Sequence, residues 1–114
     1  MGLEITNPGA KSAENIEAEL TDQGLYFTPL DVPPVENTSH WHDFSSVFYV
    51  VSGSAQLTDI ESGIVHEIGP GSRVSVPAKA LHAEKSQEGY SILLGTTRDP
   101  ATFEGDVNLP PSDL

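Results

Sequence analysis

The chain has 114 residues, no cysteine and a formal net charge of −12, from 17 acidic and five basic residues. That length allows one domain with a modest core, the charge argues against nucleic acid and anionic membrane surfaces as partners, and the missing thiols exclude disulfides, thiol catalysis and thiolate metal sites. No apolar run approaches a membrane span and no basic-then-apolar leader opens the chain, so the expected location is cytoplasmic. The opening MGLEIT fits the loose myristoylation pattern, which also occurs often by chance.

Residues 12–24, SAENIEAELTDQG, read as a short helix. Ser12 is its N-cap, Ile16 and Leu20 form a thin apolar face, and Gly24 is its stop. From Leu25 the signals change to strand and turn. LYFTPL is followed by DVPP, where two prolines stiffen the approach to His40. SVFYVV is a strong strand that ends at Ser52-Gly53. AQLTDI is another, and Glu61-Ser62-Gly63 turns into IVHEI. Gly69-Pro70-Gly71 turns into RVSV, which Pro77 closes, and YSILLG (90–95) is the last strong strand. Short strands between Gly/Pro turns predict an all-β sandwich or barrel. The expected organisation is a single domain: a helical arm over 1–24, the barrel over 25–98 and an extended tail over 99–114 that packs on the body or on a partner.

Residues 40–53, HWHDFSSVFYVVSG, carry two of the four histidines one residue apart. A strand sends alternate side chains to one face, so His40 and His42 point the same way, close enough to share an ion. By the same parity Phe44, Ser46 and Phe48 face inward, as core or as pocket wall. Asp43 points out, and Trp41 covers the outside of the sheet or a dimer contact. Downstream, GPGSRVSVPAKALHAE places Gly71 before a strand, Pro77 at its end and His82 at the head of the next strand.

Together these stretches resemble the cupin family. His40 and His42 match its HxH pair and Gly53 the glycine that closes the first motif. Gly71, Pro77 and His82 match the second motif at the family's spacing, and the resemblance covers roughly residues 25–98. HxH alone is a weak signal; HxH with a spaced Gly…Pro…His is specific. The chain departs from the pattern at four positions. Pro34 stands for the opening glycine, Ser46 for the ligand glutamate, Lys79 for the glycine after the proline, and Ser86 for the closing asparagine.

The resemblance implies a jelly-roll barrel, a homodimer through edge strands, and one divalent ion on His40, His42 and His82. Iron is the first expectation, with zinc, nickel, manganese or copper as alternatives. Three neutral imidazoles leave the ion its full charge, which favours anionic, chelating ligands and keeps positions open. The implied function is a metal-dependent, oxygenase-like enzyme (an oxidoreductase, possible dioxygenase) acting on a small oxygenated or anionic molecule. The alternatives are a non-catalytic binding or sensor cupin, and a metal lyase or isomerase on a sugar acid. Other pocket candidates are Glu84, which shares the parity of His82 but reads more readily as solvated, and Arg73, a clamp for a substrate carboxylate or a surface ion-pair partner. Arg98 offers the same two readings. His66 reads as a packed or half-exposed residue rather than a ligand.

Overall fold

Two strands with long apolar alternation form the middle of the molecule. They are β4 (Ser46–Gly53) and β9 (Tyr90–Thr96), paired antiparallel with Phe48 opposite Leu94. The structure, a computed structural model, describes residues 2–103 and 107–114. Around the central pair lie β1 (Glu4–Thr6), β7 (Arg73–Val76) and β2 (Tyr26–Val32), in the order β1-β7-β4-β9-β2. A second, four-stranded sheet holds β3 (Val35–Glu36), β8 (His82–Ser86), β5 (Ala55–Asp59) and β6 (Ile64–Ile68), in the order β3-β8-β5-β6. The non-sequential strand order and all-antiparallel pairing make a jelly roll.

The two sheets bury their facing sides against each other. Phe48, Val50, Leu57, Ile68, Val74, Val76, Tyr90 and Ile92 form this interior, with Leu3 added at one edge. The five-stranded sheet is also covered on its back. Helix α1 (Ala13–Asp22) lays Ile16 and Leu20 on Tyr49 and Leu93. That is why Tyr49 and Val50, successive and opposite in direction, are both buried. Leu20 is wholly inaccessible, so its truncation to alanine would cost about 2–5 kcal/mol. The Ser12 hydroxyl accepts from the Asn15 amide at 3.1 Å, and Gly24 takes φ +79°, a left-handed conformation that glycine adopts without strain.

Three local features differ from the sequence reading. Residues 4–6, expected in the helical arm, form a strand on the free edge of β7. The first motif does not open as a strand: His40 makes a single bridge to His82, with both N–H···O distances 2.9 Å, and the continuous strand starts at Ser46. Trp41 does not lie on the outside of a sheet. It is buried under the tail, exchanging backbone bonds with Leu109 at 3.0 and 2.9 Å and donating Nε1–H to the Pro110 carbonyl at 2.8 Å. A buried indole N–H needs an acceptor, and the tail supplies one. Residues 104–106 of the expected tail lie outside the described residues.

Candidate metal centre

The bridge between His40 and His82 brings the two motifs side by side. The His40, His42 and His82 ring centroids stand 4.4–5.2 Å apart, and one ring nitrogen from each lies within 4.8 Å of the others. Each Nδ1 faces a backbone carbonyl: Thr38 at 2.8 Å for His40, Val107 at 2.9 Å for His42, and Ala80 at 2.8 Å for His82. A carbonyl only accepts, so all three Nδ1 atoms carry the hydrogen and all three Nε2 atoms carry the lone pair. This is the tautomer a metal requires, fixed by outer partners before any ion arrives. Around one divalent ion the three nitrogens would each be expected at roughly 2.0–2.1 Å. The donor set therefore fits a divalent metal.

Burial favours the neutral form. It pushes the His82 pKa down to about 4, with smaller downward contributions from His40 and His42; the Ala80 carbonyl bond and the Asp59 charge oppose it. At neutral pH His82 is ready to ligate. Asp59 is a residue the sequence reading passed over. It is buried, sits directly across from His82 in the β5–β8 register, and accepts from the Leu3 amide at 3.2 Å and the Glu61 amide at 3.1 Å. It lies beside His82 without belonging to the three-histidine cluster. The signal was available: in AQLTDI, Asp59 has the inward parity of Leu57.

The remaining pocket candidates fall into different places. Ser46 is buried opposite Val76 and Thr96, on the same face as the core residue Phe48. Phe44 lies flat against His42, ring centroids 5.1 Å apart, with Phe103 stacked on its other side at 4.9 Å. Glu84 is half-buried. It follows His82 on the inward face of β8 and accepts a hydrogen bond from the buried Tyr90 hydroxyl. Burial first, then the Glu84 charge and hydrogen bond, pushes the Tyr90 pKa up, so the phenol stays protonated. Arg73 is not a pocket residue. It has the opposite parity to Val74 and Val76 and pairs with Glu19 of α1 at 3.2 Å, beside Tyr49. His66 is half-buried across from Leu57 and outside the cluster.

The second-motif departures have structural accounts. Lys79 takes φ +69°, a conformation that glycine adopts without strain, while its amide donates to the His42 carbonyl at 2.9 Å. Ser86 donates to the Ser54 carbonyl at 2.7 Å and accepts from the Gly89 amide at 3.0 Å, tying two turns together. At Gly53 a Cβ would come within 2.5 Å of the Gly89 carbonyl, so that position admits only glycine. A groove of about 280 Å³ borders His40 between residues 37–40 and 108–111. A larger hollow, about 790 Å³ and lined by Gln56, Glu67, Lys85 and Glu88 among others, contains none of the three histidines. Its lining is wide and polar, whereas the smaller groove includes one member of the histidine cluster.

Searches of sequence alone return no matching family model and no matching curated protein. Solved structures do match. A cupin-2 domain protein from Shewanella frigidimarina is 23% identical with a TM-score of 0.55, covering 65% of this chain and 71% of its own. The fold is that of the cupins. A DUF861 family protein from Thermotoga maritima aligns over 81% of this chain and 96% of its own, at 22% identity and TM-score 0.53. Bacillus subtilis oxalate decarboxylase, whose Mn(II) centres have been characterised, aligns at 23% identity and TM-score 0.56 over 77% of this chain but only 24% of its own. Among the described residues, no helix of this cupin-fold chain is long and apolar enough to cross a membrane.

Proposed function

We propose that this protein is a metal-dependent enzyme in which His40, His42 and His82 hold one divalent ion that binds a small oxygenated or anionic molecule. The observation that carries the reading is the set of three Nδ1–H···O=C bonds, which turns three lone pairs toward a common point. When bound, the ion would supply Lewis acidity and open positions for ligand or dioxygen. The chain's part is to keep the imidazoles neutral and oriented, to place Phe44 as an apolar wall beside His42, and to set the Asp59 charge behind His82. The all-histidine set resembles that of cupin dioxygenases, so we assign iron first. The Mn(II) of oxalate decarboxylase shows that the fold also serves manganese. Elemental analysis of protein purified without chelators, followed by dioxygen-uptake assays with diketones and thiols, tests this. Iron with uptake supports it, and metal-free protein that does not take up added metal overturns it.

One observation favours a second reading, a metal lyase or isomerase. Two residues along β8 from His82, Glu84 sets a carboxylate that can serve as a base, and Tyr90, held protonated, donates to it and orients it. Zinc or nickel, with turnover independent of dioxygen, would decide for it. As to assembly, we infer a homodimer through the outer strands. β2 exposes Tyr26 and Leu30, and β6 exposes Ile64 and Val65, apolar side chains on strands at the ends of the two sheets. Sedimentation equilibrium tests that inference.

A further inference from the structure

Four consecutive residues of the first motif are each held by the C-terminal segment. Trp41 pairs with Leu109 and Pro110. His42 donates to the Val107 carbonyl. Asp43 accepts two hydrogen bonds from Arg98 Nη1, each 3.2 Å. Phe44 stacks on Phe103, which also lies under the Arg98 guanidinium at 5.3 Å. His40 and His82 use carbonyls two residues upstream, but His42 depends on a carbonyl 65 residues away. Val107 supplies the carbonyl that faces the His42 Nδ1, while Phe44, itself backed by Phe103, lies flat against the ring.

We propose that the tail is a working part of the metal centre: docking of Phe103 and Val107–Pro110 positions His42 as a ligand, and metal binding in turn holds the tail down. This rests on the three-histidine reading. Val107 and Phe103 act through His42 and are positioning residues, not ligands. The coupling is reciprocal by linkage, because a tail that favours the liganded His42 orientation must itself be favoured by the ligand. Pro110, with φ −74° and ψ 150°, suits this role, since its ring holds the docked backbone extended at low entropic cost.

The test uses the full chain and Co(II), whose absorption reports its ligands. Two measurements are needed. The first is amide hydrogen exchange with and without saturating Co(II). We expect the Trp41 and Leu109 amides, which bond each other's carbonyls, to slow by about tenfold or more, while Thr58 and Val65 amides in the β5–β6 pair do not change. The second is Co(II) affinity of Phe103→Ala and Trp41→Phe, expected to fall about tenfold, with Phe103→Tyr restoring the parent value because it keeps the stack. Unchanged exchange at Trp41 and Leu109 under saturation overturns the inference, and needs no variant to fold. So does a Phe103→Ala protein that binds Co(II) like the parent. Co(II) binding that survives His82→Ala, or no binding to the parent, instead removes the three-histidine reading and this inference with it.

Discussion

His82 and His42, proposed for the same job, have opposite support. His82 lies in a continuous strand, is buried, and leans on the Ala80 carbonyl of its own turn. His42 lies outside any strand, is only half-buried, and leans on Val107 from the far end of the chain. A local partner is present whenever the barrel is folded. A distant one is present only while its segment is docked, and that segment is held by a few contacts at the surface. On the three-histidine reading, the comparison divides metal affinity into a rigid part, set by the barrel, and an adjustable part, set by the tail.

The largest effect should come from the rigid part. His82→Ala removes a ligand outright, and Co(II) or Zn(II) affinity is expected to fall by more than the roughly 10–100-fold that losing an outer partner costs. His40→Ala should match it. If either cost less than Phe103→Ala, the division between barrel and tail would be reversed.

Next comes acid. The His82 pKa falls from an ordinary 6.5 to about 4 on folding, so between those values the unfolded chain binds a proton that the folded chain does not. The metal-free protein should keep its full stability above about pH 6.5, lose it as the pH falls, and have lost at most about 3 kcal/mol by pH 4. Urea midpoints at pH 7 and pH 4.5, for the parent and His82→Gln, measure this. The variant should show the shallower loss. Equal losses would mean that His82 is not the buried titrating group.

Smaller again is the charge behind His82. Asp59→Asn keeps the shape but removes the negative charge opposite the ligand, and should weaken metal binding by about tenfold at low salt. Isothermal titration with Zn(II) reads this. An unchanged affinity would mean that the two amide bonds to Asp59 are its whole role. The smallest expected effect is at Lys79. Relief of its positive φ by Lys79→Gly should raise stability by up to about 1 kcal/mol, with metal affinity unchanged, because the His42 carbonyl keeps its amide donor. A lower melting temperature would show that the lysine side chain contributes more than its backbone costs.

Much of the fold was legible because it is written in short-range patterns. Period-two alternation marks β4, β5, β6, β7 and β9 as strands, turn glycines separate them, and Ser12 and Gly24 bracket the helix. The spacing of His40, His42 and His82 relative to Gly53, Gly71 and Pro77 was enough to propose the ligand set, since it needs only strand parity and the length of the turns. What the sequence could not determine are pairings made across space. Glu4–Thr6 has no strand pattern of its own and becomes one only because β7 has a free edge. Arg73 and Glu84 each had two readings, the surface one favoured for both. Arg73 went to Glu19 because the helix packs on that face, and Glu84 went inside because Tyr90 gives it a hydrogen-bond partner there. The tail carries no periodicity, and its docking depends on Trp41 offering a buried donor and on Val107 arriving at His42. Local pattern determines which face a side chain takes; only the closed barrel, by bringing distant segments within hydrogen-bond range, decided which partner it meets there.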